Sequence, residues 1–142
     1  MNNLEMAKAY LEEALRRIRT AEQALREGAY AYCIRQSQEA VELALKAALR
    51  IVGVEPPKWH DVGPVLREER ERFPKWFEEK IDSLSSTSRW LRREREPSMY
   101  GDEETGLPPQ KLYTRGYAER AFKEAEEVVK TVLKLVREFE KA

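Results

Sequence analysis

Apolar residues recur along the chain in alternating steps of three and four. The first run is Leu4, Ala7, Leu11, Ala14, Ile18, Ala21 and Leu25. Such steps keep one face of an α-helix apolar. Gly28 stops this helix as a C-terminal cap. The second helix opens near Ala29 and carries Tyr30, Ile34, Ser37, Val41, Ala44, Ala48 and Ile51. Cys33, Ala40, Leu45 and Ala47 widen its apolar face, so it is expected to be the most buried helix. Gly53 and Pro56-Pro57 end it. Asp61 caps a short third helix with Val62, Val65 and Leu66, and Pro64 is tolerable in its first turn. After Phe73-Pro74 the spacing of Phe77, Ile81, Leu84, Ser88 and Leu91 predicts a fourth helix, with Trp76 and Trp90 on its flank. The last helix begins near Thr114, a fair N-cap. It shows Ala118, Ala121, Ala125, Val128, Val132, Leu135 and Phe139 on one face.

No segment keeps a period of two with β-branched enrichment, so no strands are expected. The expected fold is all-α: an antiparallel up-and-down bundle of four long helices plus one short helix. Residues 1–142 are read as a single domain. Alanines on the first, second and last helices allow their axes to approach closely. Residues 95–113, REPSMYGDEETGLPPQKLY, contain five Gly or Pro residues, so no helix is expected to cross them. A loop of that length is often functional. It reads equally well as a strap over the bundle end, with Tyr100 and Tyr113 packed.

Composition narrows the chemistry. The chain has 142 residues, 42% hydrophobic, enough for a core, which excludes disorder. Charged residues reach 37%, with only 6 Gly and 7 Pro, which favours long helices. Lys+Arg and Asp+Glu both number 26, so nucleic-acid binding would need a local basic site rather than a general positive charge. Cys33 and His60 are the single residues of their types. They exclude an internal disulfide and a Cys/His zinc site, and no metal or cofactor is expected. No apolar run approaches a membrane span, and the N-terminus shows no apolar signal segment, so a cytoplasmic protein is expected. Asn occurs only at positions 2 and 3, which points weakly to a heat-adapted source.

Three stretches carry a family resemblance: AYAYCIRQSQEAVELALKAALRIVG, KWHDVGPVL, and LRREREPSMYGDEETGLPPQKLYTRGYAERAFKEAEEVVK. In order and spacing they resemble a HEPN domain, the "higher eukaryotes and prokaryotes nucleotide-binding" domain, over nearly the whole chain. The resemblance implies a helical up-and-down bundle, usually dimeric. It also implies comparison with metal-independent ribonucleases, whose motif is an Arg, four to six residues, then a His. A toxin branch extends the motif as Arg, four residues, His, one residue, Tyr. Here Arg93 and Tyr100 keep that spacing, but Ser98 stands in place of the His. A serine hydroxyl cannot exchange a proton near neutral pH without another base, so standard ribonuclease chemistry is not expected. Arg93, Ser98 and Tyr100 remain the candidates for any chemistry at this motif.

Arg92, Arg93 and Arg95 cluster where the fourth helix ends. They either complement the helix dipole or clamp a phosphate, with Tyr100 stacking on a base. Ser37, inside an apolar stripe, is expected to bond a backbone carbonyl or face a cleft. Glu42 and Lys46 are spaced i,i+4 as a surface pair; the resemblance puts equivalent residues beside the site. His60 and Asp61, a family pair, are read as pinning the third helix, with a ligand role for His60 as the second reading. Asp102-Glu103-Glu104 reads as a solvated run or as a magnesium contact on a nucleotide.

The resemblance implies three functions. In the first the chain is a non-catalytic or weakly catalytic module paired with a minimal nucleotidyltransferase, toxin–antitoxin-like, in which the partner transfers AMP to Tyr100. The second is a degenerate ribonuclease. The third is a nucleotide-binding scaffold dimer. A homodimer is expected, because the second helix carries more apolar circumference than one small bundle covers.

Overall fold

A computed structural model describes residues 2–142. Four long helices form the frame: α1 (Asn3–Arg26), α2 (Tyr30–Ile51), α5 (Ile81–Arg93) and α8 (Arg115–Lys141). Between α2 and α5 lie α3 (Gly63–Glu68), a short 3₁₀ turn at Arg70–Arg72, and α4 (Lys75–Glu78). Between α5 and α8 lie α6 (Arg95–Tyr100) and α7 (Pro109–Leu112). No strand occurs among the described residues; Asp102 and Leu107 form an isolated bridge. The fold is the expected all-α up-and-down bundle.

Local chemistry sets the helix ends. The Asn2 side chain accepts the Glu5 N–H at 3.2 Å and opens α1. At its far end Gly28 adopts φ 77°, and the N–H groups of Gly28 and Ala29 return to the carbonyls of Leu25 and Ala24. That pair of bonds closes the helix in a Schellman turn. Gly53 repeats it after α2, with Gly53 and Val54 bonding back to Arg50 and Leu49. Thr114 caps α8 by accepting the Tyr117 N–H. The three-residue link from α1 to α2 leaves them antiparallel neighbours.

α2 is the central element. It packs on α1, α8, α5 and α6, and α1 also packs on α8. Ala7, Ala14 and Ala21 of α1, Ala40, Ala44 and Ala48 of α2, and Ala118, Ala121 and Ala125 of α8 are all sealed. Cys33, Ile34, Val41, Leu45 and Leu49 fill the space around them. Burial pushes the Cys33 thiol up to about 11, so it stays protonated and inert in the native state. The apolar surplus of α2 is thus covered within one chain, and it does not by itself demand a second subunit.

Two sequence expectations change. First, the fourth stripe is two helices: a tight turn, with the Lys80 N–H on the Phe77 carbonyl at 2.9 Å, separates α4 from α5. The apolar face runs on across it, because Phe77, Ile81 and Leu84 are all buried. Second, residues 95–113 are partly helical. Pro97 sits in the first turn of α6 and Pro109 opens α7, where a missing N–H costs nothing. Gly101 is closely backed by its own loop. It adopts φ 79°, and a Cβ there would collide with the Leu107 carbonyl and Pro108 of its own loop.

Leu45 is fully buried at the heart of α2. Leu45→Ala is expected to cost about 2–5 kcal/mol of unfolding free energy, read by chemical denaturation. A loss under about 1 kcal/mol would contradict the packing described.

Candidate functional site: a polar strip on α2

One face of α2 departs from the apolar core. Gln38, Glu42 and Lys46 follow each other at helical spacing, and Glu42 gathers their polar atoms. Gln38 Nε2 donates to Glu42 Oε1 at 3.1 Å, and Lys46 Nζ donates to Glu42 Oε2 at 3.0 Å. His60 Nδ1 lies 2.9 Å from Oε1 of the same carboxylate, which places a proton on Nδ1. Arg95, arriving from α6, donates to Gln38 Oε1 at 2.8 Å and stands 3.7 Å from Glu42 Oε1. Burial alone would raise the pKa of Glu42. The bonds from Lys46 and Gln38, with the charges of Lys46 and His60, outweigh it and hold the carboxyl below its ordinary value.

The structure therefore brings together Glu42, Lys46, His60 and Arg95. Ser37 stays apart. It is fully buried on the core side, bonds no backbone carbonyl, and lies beside the Cys33 thiol. Asp61 stands one residue ahead of Val62, the N-cap of α3, where it accepts the Gly63 N–H at 3.1 Å and the Ser88 hydroxyl at 2.9 Å. His60 instead pins its loop to α2. Gln38 was missed in the sequence; its place four residues before Glu42 was the available signal.

The arginines at the end of α5 separate in role. Arg92 pairs with Glu96 at 2.8 Å, and Arg95 turns to α2. Arg93 is exposed, with no ion pair among the described residues. Glu94 is the single residue between the two helices. Its carboxylate accepts the hydroxyls of Tyr113 at 2.8 Å and Tyr117 at 2.9 Å. Burial and that carboxylate hold both phenols above their ordinary pKa. Trp90 Nε1 donates to the Tyr117 oxygen at 3.0 Å and closes the network. Glu94 too went unnoticed within the charged run REREP.

Ser98 is buried, and its hydroxyl donates to the Arg95 carbonyl at 3.0 Å. It lines a cleft of about 310 Å³ with Tyr30, Tyr32 and Arg35. Tyr100, the last residue of α6, is 63% exposed, whereas Tyr113 is packed. The strap and the accessible-loop readings therefore each hold for one tyrosine. Asp102 spends its carboxylate on the N–H groups of Glu104 and Thr105, closing a turn. With Glu94, Glu103 and Glu104 it makes a cleft of about 440 Å³ acidic, which is unsuited to phosphate. No group of His, Cys, Asp and Glu suited to a metal ion occurs among the described residues. No helix there is long and apolar enough to cross a membrane.

The family model of the HEPN domain matches residues 7–136. The chain belongs to the HEPN domain family. Two solved structures share the fold. TT1696 from Thermus thermophilus is 27% identical, with a TM-score of 0.75, covering 90% of this chain and 96% of its own. ST0689, an archaeal HEPN homologue, is 22% identical, with a TM-score of 0.72, covering 92% and 97%. Comparison with curated proteins gives no match. The polar strip is thus a feature of a HEPN bundle.

Because its pKa is lowered in the fold, Glu42 contributes stability that is fully present above about pH 4.5 and lost as pH falls through the folded value. Glu42→Gln is expected to cost on the order of 1–3 kcal/mol at neutral pH and to flatten the loss of stability below pH 4.5. Thermal melts from neutral to acid pH measure both effects. An unchanged acid limb in the variant would contradict the lowered pKa.

Proposed function

We propose that this HEPN domain is a non-catalytic or weakly catalytic nucleotide- or RNA-related module that acts with a minimal nucleotidyltransferase. The supporting observation is the contrast within α6. The position where the ribonuclease motif needs an imidazole holds a buried serine committed to a backbone carbonyl. Two residues on, the Tyr100 side chain stands in solvent. General acid–base cleavage lacks its proton carrier, while an acceptor hydroxyl is reachable.

In this reading the Tyr100 oxygen attacks the α-phosphorus of a nucleoside triphosphate held by the partner. The phenol proton passes to a base of the partner, pyrophosphate leaves, and a phosphodiester joins tyrosine and nucleotide. Arg93, exposed and outside every ion pair among the described residues, is available to the new phosphate. Arg95 with Lys46 keeps the adjoining strip cationic around Glu42. A homodimer belongs to the same reading and would bring two such motifs into one assembly.

Co-expression with a neighbouring nucleotidyltransferase followed by mass spectrometry is expected to find an adenylyl adduct on Tyr100, absent in Tyr100→Phe. An unmodified Tyr100 would sink the acceptor role. The purified protein alone is expected to sediment as a dimer at micromolar concentration and to leave fluorescent RNA intact. Cleavage that survives chelation and vanishes in Arg93→Ala would instead favour the degenerate ribonuclease. Gain of cleavage in Ser98→His would show that the rest of that pocket is intact.

A further inference from the structure

Charge is divided between the two ends of α8. Its last turns carry an open groove lined by Lys130, Lys134, Arg137 and Lys141, with Leu133 and Glu138. The acids around it are already engaged. Glu126 stands 3.8 Å from Lys130, Glu138 accepts the Trp76 indole N–H at 2.8 Å, and Glu140 pairs with Lys8 at 2.6 Å. Lys134 lies over the Trp76 ring, while Arg137 and Lys141 are exposed and outside every ion pair among the described residues. Setting Glu126, Glu138 and Glu140 against Lys8 and the four groove cations leaves a positive excess.

The other end is acidic. Glu94, Asp102, Glu103 and Glu104 line the cleft beside Tyr113 and Tyr117, and no cation lines it. None of these carboxylates enters an ion pair among the described residues. Glu94 takes two phenols and Asp102 two backbone N–H groups, and Glu103 and Glu104 are exposed. Counting the exposed Arg93 and Lys111 of the flanking chain still leaves a negative excess.

These two patches cannot meet within one chain. Tyr117 lines the cleft and Lys134 the groove, about 26 Å apart along one continuous helix at 1.5 Å per residue. At 3.6 residues per turn they also point about 100° apart around its axis. A two-fold pairing that joined cleft to groove twice needs both patches to face the same way. Complementary contact therefore runs head to tail, from the cleft of one copy to the groove of the next.

We propose that the basic groove of α8 docks the acidic loop Asp102–Glu104 of a second copy, in a salt-sensitive head-to-tail association. This goes beyond the functional reading above and uses neither Tyr100 nor a two-fold dimer. Exposed ion pairs are individually weak, so the contact depends on several acting together and gives way to salt.

Sedimentation velocity tests it at about 20 mM salt, where charges act over roughly 20 Å, and at about 300 mM, where that range falls to roughly 6 Å. The wild-type sedimentation coefficient is expected to climb with protein concentration at low salt and to stay flat at high salt. Lys134→Glu with Arg137→Glu reverses the groove. Glu22→Lys and Glu27→Lys, at the end of α1 far from Lys8 and lining neither patch, restore the net charge. That neutral variant is expected to lose the climb. Reversing the groove together with Glu103→Lys and Glu104→Lys also keeps the net charge and is expected to bring the climb back. Circular dichroism checks folding, and Arg137→Glu with Lys141→Glu reverses the same groove without touching the Trp76 contact. A flat wild type at low salt, a climb undiminished by the groove reversal, or no recovery in the double reversal would each overturn the proposal. A wild type that stays dimeric at both salt concentrations would overturn it while leaving the two-fold dimer of the functional reading standing.

Discussion

A single carboxylate holds the functional end of this bundle together. Glu42 receives donors from its own helix, from the loop that follows α2, and approaches a guanidinium from α6. The loop and α6 are far apart in sequence, and each is too short to hold its shape alone. A six-residue helix such as α6 has no independent stability in water. A partly buried acid with several donors is costly to leave unpaired, so the donors and the acid fix one another.

Glu94 plays the matching part on the other side. By accepting two tyrosine hydroxyls it ties the junction of α5 and α6 to the start of α8. α6 is thus clamped between two acids, with Arg95 directed at α2 and Ser98 directed inward. What remains free at its end is Tyr100. The accessible phenol is therefore a result of how its neighbours are tethered, and it does not imply a loose loop.

That arrangement separates two chemistries that the motif otherwise combines. A histidine at position 98 would bring a proton carrier to this turn of α6. The serine brings only a hydroxyl, and the fold uses it to satisfy the Arg95 carbonyl. The protein's single imidazole lies on the polar strip instead, bonded to Glu42. Charge follows the same division: the strip along α2 is cationic in excess, and the cleft beyond α6 is lined by carboxylates.

The sequence alone determined the frame. Helix faces, the caps at Gly28, Gly53 and Thr114, and the burial of α2 depend on neighbours within a turn or two, which spacing reports directly. Prolines misled at α6 and α7, because the cost of a proline depends on whether it falls in the first turn, and that was decided by where each short helix starts. Tyr100 and Tyr113 were indistinguishable in the sequence; a carboxylate brought by α5 buried one and left the other in solvent. Arg93 and Arg95 likewise sit two residues apart in one charged run, yet one is exposed and the other reaches Gln38 and Glu42 of α2. The pair Glu42 and Lys46 read as an ordinary surface ion pair, since a spacing of four says nothing about what arrives from elsewhere. Only the tertiary structure could bring His60 and Arg95 to that carboxylate, because contacts between distant segments leave no periodic trace in the chain.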